Sequence, residues 1–468
     1  MRMFSWPLAL VFAALLLAGC ANSPHTERPA ISQNMAADWN TSPLAQGQKQ
    51  RLHQAWWLEF NSATLTDLIS QALSANPDVR IAAERIRQAE AQVQAANATL
   101  FPSLNLGAGS DKSWQEPSSG SSTSRANTTA NLGISYELDL WGKLKAERQA
   151  ATAGVAISKY DLASAQLTLT TGVANAWFQL LTLTERVKIN EENLKIAQQN
   201  LTIVEAKYKY GAAAVSDVYR QRGVVNNQIA SLLPLREQRR QTVSALAILL
   251  GQAPQGYQLA GEPLSDINLP TLDAGLPSQL LHRRPDLAAA EAQLRAADAN
   301  LHAARAALLP TVSLTGSGGL ASAALLSLAN PSQTLALGAS LSQSIFDGGR
   351  KRSQIKVSEA RRRELIEQYR KSILQALKET EDALGNINLS QQQLAKQRDI
   401  VSDAERTLTI AEQRYQAGAD ELLSLLDAQR SLFSAQEQQA NLRQSQLNAT
   451  LDLIKALGGG WTQPNEQH

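Results

Sequence analysis

A segment spanning close to half of this chain is written twice, and that duplication limits its possible folds more than any other feature. The stretch from Leu68, LISQALSANPDVRIAAERIRQAEAQVQAANATLFPSLNLGAGS, returns at Leu276 as LPSQLLHRRPDLAAAEAQLRAADANLHAARAALLPTVSLTGSGG. Pro77 falls on Pro285 and Pro102 on Pro310, both 208 positions on (285 − 77, 310 − 102). Further along, AKYKYG closing at Gly211 falls on EQRYQAG closing at Gly418, and LLG at Gly251 on ALG at Gly458, both 207 positions on (418 − 211, 458 − 251). Solenoids repeat every 20–50 residues, so a stacked-repeat array is excluded. Each copy must fold to the same pattern.

The longest uninterrupted stretch of each copy reads as helix. Lys143 to Tyr208 holds no proline and only two glycines, Gly154 and Gly172; one continuous helix there is roughly 100 Å long. A helix of that length needs lateral packing. Val173, Ala176, Leu180, Leu183, Val187, Asn190, Leu194, Ala197, Leu201 and Val204 supply it, alternately three and four residues apart with one polar break. This a/d seam predicts left-handed coiled-coil packing. A matching run extends from Arg350 to Tyr415. Two shorter helices accompany each long one, about Pro77–Leu100 and Ser216–Leu250, then Pro285–Leu309 and Glu421–Leu457. Pro77 and Pro285 suit a first helical turn, where a missing N–H costs nothing. Gly211 and Gly418 follow Tyr208 and Tyr415 as left-handed caps that set tight turns at one end of each copy.

Between the short and long helices the period drops from 3.6 to 2. Leu132, Ile134, Tyr136, Leu138 and Leu140 alternate with Asn131, Gly133, Ser135, Glu137 and Asp139, and Leu335, Leu337, Ala339, Leu341 and Ile345 repeat the pattern. Weaker partner strands lie near Ser103–Ser110 and Thr311–Gly319. Each run has about ten residues, the length a tilted strand needs to cross hydrocarbon. Phe101, Trp141 and Phe346 flank these runs and are expected at the membrane interface. No apolar helix face remains to cover the hairpins on a soluble core. Four strands leave two open edges, which hydrocarbon does not tolerate. The chain is therefore expected to oligomerise; three copies give twelve strands and a channel-sized interior, with the Ser/Gly-rich loop 111–125 facing outside.

Charge and composition remove other classes. There are 44 basic and 42 acidic residues, a net +2, so nothing draws the chain to nucleic acid. At the N-terminus, Arg2 and the apolar run from Pro7, too short to span a bilayer, read as a signal peptide closing on Leu17-Ala18-Gly19-Cys20. This resembles the bacterial lipobox, in which the cysteine is lipidated. Cys20 is the only cysteine, so no internal disulfide exists. Ala21 and Asn22, with no Asp beside the cysteine, resemble lipoproteins sorted to the Gram-negative outer membrane. No cofactor is expected beyond the covalent lipid on Cys20. The expected organisation is a signal peptide over 1–19 and a lipidated tether over 20–62, anchored sparsely by Trp39, Trp56 and Trp57. A first repeat follows over 63–270 (helix, β-hairpin 103–141, long helix 143–209, helix 216–250). The second occupies 271–468 (helix, β-hairpin 311–346, long helix 349–417, helix 421–457, C-terminal tail).

The duplicated strand–helix unit, YELDLWGK at 136–143, RRPDL at 283–287, SIFDGGRK at 344–351, RYQAGADELLSLLDAQRSLFSAQ at 414–436 and KALGGGW at 455–461 resemble the outer-membrane efflux factors of the TolC/OprM type, in particular the lipidated OprM and NodT branch. The resemblance covers essentially the whole mature chain. It implies an α+β membrane protein: a homotrimer with a twelve-stranded outer-membrane β-barrel and a coiled-coil helical tunnel through the periplasm. It also implies a periplasmic adaptor protein and an inner-membrane transporter, of RND type first, as partners. In this family the far tip is constricted by residues on the helix after the second glycine turn, and Leu423 and Asp427 match them. Four residues apart, they share one helix face. Three copies would stack an apolar ring and a carboxylate ring, whose mutual repulsion opposes closure. Asp217 and Tyr415 are the further gate positions, although Asp217 also suits a helix N-cap or first turn and Asp427 a solvated face. Asp420 departs from relatives with a basic residue there, which puts their salt-bridge network in doubt. The turns at Gly211 and Gly418 are the expected adaptor contacts.

Other motifs carry no chemistry. Phe346-Asp347-Gly348-Gly349-Arg350 lacks phosphate-loop spacing and reads as a tight strand-to-helix turn. Gly458 to Gly460 reads as a helix stop. The five histidines have no metal spacing, and no nucleophile–base pair is visible. The expectation is a passive export duct for drugs or other toxic small molecules, not an enzyme. A duct for type I protein secretion and a non-conducting structural envelope lipoprotein are the alternatives, with an adhesin weaker still.

Overall fold

The computed structural model describes residues 38–40, 52–116, 120, 122–259, 261–270 and 272–463. The signal peptide, Cys20 and most of the expected tether lie outside these residues. The first copy comprises α1 (Ala63–Ala75), α2 (Pro77–Ala98), β1 (Ser103–Gln115), β2 (Thr123–Leu138), α3 (Lys143–Lys209) and α4 (Val215–Leu249). The second comprises the single turn α5 (Leu280–Arg283), α6 (Pro285–Ala306), β3 (Thr311–Ser322), β4 (Ser332–Ser342), α7 (Arg350–Gln416) and α8 (Leu422–Ala456). Both long helices have 67 residues and both following helices 35, so the copies match in the length of these helices as well as in order.

The chain divides into two compact units. Among the described residues, the first holds Glu84–Lys159 and Ala289–Arg370, and with them one antiparallel sheet in the order β1-β2-β3-β4. Its register sorts the side chains by polarity. Leu104 and Leu106 face Ile134 and Leu132; Tyr136 and Leu138 face Leu314 and Val312; Val312, Gly316 and Gly318 face Leu341, Leu337 and Leu335. Period-2 alternation puts all of these on one side of the sheet. The other side carries Ser103, Asn105, Asn131, Ser135, Glu137, Ser313, Thr315, Ser317 and Ser340. The apolar side is bare: Leu106, Leu335 and Leu337 are each more than 80 % exposed.

The strands differ from the sequence reading at their ends. β2 starts at Thr123 and stops at Leu138, not Trp141, and β4 stops at Ser342. Two aspartates turn the chain at these points. The Asp139 carboxylate accepts from the backbone N–H of Leu144 (3.0 Å) and Lys145 (2.8 Å). Asp347 accepts from Gly349 (3.0 Å) and Lys351 (3.1 Å). These bonds satisfy the orphan donors of α3 and α7, each of which therefore starts at a strand-to-helix corner. The short helices stop at Ala98 and Ala306, ahead of Pro102 and Pro310, which bias the residue before them to extended backbone.

Among the described residues, the second unit takes in 38–40, 52–83, 160–259, 261–270, 272–288 and 371–463 and contains the main core. Trp177, Phe178 and Leu181 of α3 are buried against Leu65 and Ile69 of α1 and Leu246 of α4. Burying each such side chain contributes about 1.5–3 kcal/mol. Trp56 and Phe60 join them, with the Phe60 and Phe178 rings 5.1 Å apart. This corrects the tether reading: residues 56–60 form a 3-10 helix fixed in the core, because two buried aromatic rings outweigh the polar composition around them. Farther along α3 the heptad seam is buried as expected, with Leu183 and Val187 packed on Leu232 and Leu235 of α4.

The residues before Pro77 and Pro285 do the same job by different chemistry. Asn76 donates from Nδ2 to the Leu249 carbonyl at the end of α4 (2.9 Å). Arg284 donates from Nη1 to the Ala456 carbonyl at the end of α8 (3.2 Å). The Arg284 head is buried between Asp286 and Glu379, both at 2.8 Å. Burial depresses its pKa, but the two ion pairs prevail and the net shift is upward. The RRPDL motif is thus a staple between helix ends.

Candidate functional site

The two helix-turn tips share one backbone device. At the first, Gly211 lies at φ 77° and the Ala212 N–H donates to the Lys207 carbonyl (2.8 Å). At the second, Gly418 lies at φ 75° and Ala419 donates to Arg414 (2.8 Å). These are Schellman caps, in which only a glycine adopts the left-handed cap residue without strain.

The side chains differ. Asp217 accepts from the Ala214 N–H (3.2 Å) and lies 3.5 Å from Arg220, so it caps α4. Tyr415 is buried, and that burial, followed by the charge of Asp217, raises its phenol pKa. Over its ring, 3.8 Å from the centroid, sits the Lys207 ammonium, which also donates to the Tyr415 carbonyl (2.8 Å). Arg414 instead binds within its own turn, to Asp420 at 2.7 and 3.3 Å. Leu423 is 53 % exposed, and Asp427 is exposed beside Arg430 at 3.2 Å. Leu423 and Asp427 do face one space, a groove of about 910 Å³ bounded by α3, α4 and α8.

Of the three aromatic residues expected at the interface, Phe101 and Phe346 are exposed, at 68 % and 91 %. Trp141 is not free: its indole N–H donates to the Pro310 carbonyl (2.7 Å), which fixes the corner between β2 and α3. No helix of the described residues is long and apolar enough to cross a membrane.

The model of the outer membrane efflux protein family matches residues 68–252 and again 276–459, most of the chain and one match per copy. The chain belongs to the outer membrane efflux protein family. It is 38 % identical over 464 residues to the pyoverdine export outer membrane protein OpmQ of Pseudomonas aeruginosa, covering 97 % of both chains. It is 32 % identical to the cation efflux system protein CusC of Escherichia coli, covering 96 % of this chain and 98 % of that one. Among solved structures, the open state of the Neisseria gonorrhoeae MtrE outer membrane channel superposes with a TM-score of 0.84 at 27 % identity, covering 94 % of this chain and 98 % of MtrE. The protein is an efflux channel component of the outer membrane.

Within this efflux-family fold, sequence reasoning missed the cations that meet the expected residues. Lys207 and Arg430 sit one position before and three after the residues singled out (Tyr208 and Asp427), and helical spacing alone signals only the second. It also missed the groove wall. Arg186 and Glu437 pair at 2.9 Å, Asn190 Nδ2 donates to Glu437 Oε1 (2.5 Å), and Ser231 donates to Asn190 Oδ1 (3.1 Å). The polar break in the heptad seam was the available signal for this network. Pro234, inside α4, lines the same groove. Among the described residues no three metal-ligating side chains gather.

Proposed function

We propose that three copies close their sheets into one twelve-stranded barrel, which passively conducts small organic solutes out of the periplasm without catalytic chemistry of its own. One observation carries this reading: a four-stranded sheet with one bare apolar side, one polar side and, among the described residues, unpaired edges at β1 and β4. Hydrocarbon covers the apolar side, and only neighbouring copies can satisfy the edges. The lipid on Cys20 tethers each copy to the outer-membrane lipid. A periplasmic adaptor engages the turns at Gly211 and Gly418, and an inner-membrane transporter, RND-type first, supplies the energy. Leu423 and Asp427 form the constriction, with Tyr415 and Asp217 holding its frame. The names of OpmQ and CusC favour small solutes over secreted protein as cargo.

Planar-bilayer recording of the purified protein tests the duct, with crosslinking to count copies. Discrete conductance steps from trimers are expected. A trimer that never conducts would instead support the structural-lipoprotein alternative.

A further inference from the structure

The two long helices begin with the wrong charge for a helix start. Acids favour a helix N-terminus and cations oppose it, yet neither α3 nor α7 has an acid in its first turn. α3 opens with Lys143, Lys145 and Arg148 against the single acid Glu147; α7 opens with Arg350, Lys351, Arg352 and Lys356, four cations over residues 350–356 and no acid. The duplication has kept this: Lys143 matches Lys351 and Arg148 matches Lys356, 208 positions apart (351 − 143, 356 − 148). In a chain with a net charge of only +2, the concentration is local.

The fold neutralises only part of it, at Lys143 and beside Asp347, whose carboxyl feels the charges of Arg350 and Lys351. Glu137 pairs with Lys143 (3.1 Å), while Asp139 and Asp347 are occupied by backbone N–H groups. Lys145, Arg148, Arg350, Lys351, Arg352 and Lys356 have no ion pair among the described residues. Immediately before α7 stand Ile345 and Phe346, each 91 % exposed. Apolar and aromatic side chains at a strand end, followed at once by cations, match the step from hydrocarbon to headgroups. The six helical steps from Arg350 to Lys356 advance about 9 Å, comparable with one headgroup layer of a bilayer. Between the two corners lies a cleft of about 290 Å³, lined by Trp141, Lys143, Pro310, Arg350 and Lys351.

We propose that these paired basic helix starts bind the phosphate groups of anionic phospholipids in the leaflet where the strands end. The site is continuous with the membrane-facing sheet, and clustered cations at a bilayer surface select anionic headgroups. Its place under each strand pair makes it a collar that fixes the depth of the sheet.

The test measures thermal unfolding of the purified full-length protein in detergent, titrated with phosphatidylglycerol or with phosphatidylcholine. Phosphatidylglycerol is expected to raise the melting temperature by about 2 °C or more through linkage, and phosphatidylcholine not to. The variant K145Q/R148Q/R352Q/K356Q is expected to keep its oligomer and lose that response. Equal responses to the two lipids overturn the proposal, and need only the unaltered protein. So does a variant that keeps the response. A variant whose oligomer dissociates in lipid-free detergent also overturns it, because the cations then serve acids on a neighbouring copy.

Discussion

The two tips of this chain have the same backbone and opposite side-chain polarity. Gly211 and Gly418 turn the chain through matching Schellman caps, and the helices that follow have equal length. Yet Arg220 of the first copy stands where the second has Asp427, 207 positions on (427 − 220). Asp420, which draws Arg414 into its own turn, has Ala213 as its counterpart. With no acid there, Lys207 is left to reach from the end of α3 to Tyr415 on α7. Backbone geometry preserved the duplication, while a few charge changes made the first tip the one that holds and the second the one that is held.

The strongest way to break that comparison is at Asp427. Asp427→Ala removes the carboxylate ring of the proposed constriction and is expected to shift the closed–open balance by about 1 kcal/mol, roughly fivefold in open fraction. Single-channel recording reads it, and an unchanged open fraction would sink the gate assignment. Gly211→Ala and Gly418→Ala sharpen the comparison from the other side. Each forces a side chain into left-handed backbone with open space around it, so each is expected to cost about 1 kcal/mol, and equally. Thermal unfolding of the two single variants should agree.

Lys207→Met targets the asymmetry itself. Its cation–π contact should be coupled to Tyr415→Leu by roughly 0.5–1 kcal/mol in a double-mutant cycle, since the backbone carbonyl it also binds survives that change. Arg414→Met paired with the same Tyr415→Leu should show none. The smallest effect is that of acid. The Arg414 hydrogen bond holds the Asp420 carboxyl below the ordinary aspartate range. Its contribution is therefore complete above the ordinary aspartate pKa and is lost as pH falls through the lowered value. Acidification should free the second tip, and Asp420→Asn should abolish that pH dependence in a crosslinking assay across the turn.

What the sequence made legible follows from range. The long helices, the glycine turns and the apolar side of the sheet depend on periods of 3.6 and 2 and on local caps, so Val173 to Val204 and Leu132 to Leu138 could be read directly. Contacts between distant positions could not. Nothing near Lys207 says that it reaches Tyr415, and nothing near Trp141 says that its indole N–H is spoken for by Pro310. Trp56 looked like an anchor in a polar tether, and Phe60 gave no signal, because Phe178 of the same core is more than a hundred positions away. At the tip Leu423 and Asp427 fall together in one groove, while Asp217 and Tyr415 lie outside it, and the cations that set their electrostatics had to be found in space.

The unpaired edges of β1 and β4 also have a kinetic consequence. A single copy entering a bilayer would carry a row of naked N–H and C=O groups into hydrocarbon, at several kcal/mol for each group left unsatisfied. Insertion must therefore follow or accompany the meeting of copies. The amount of channel in the membrane then rises more steeply than the amount of chain synthesised, so a modest change in expression becomes a large change in export capacity.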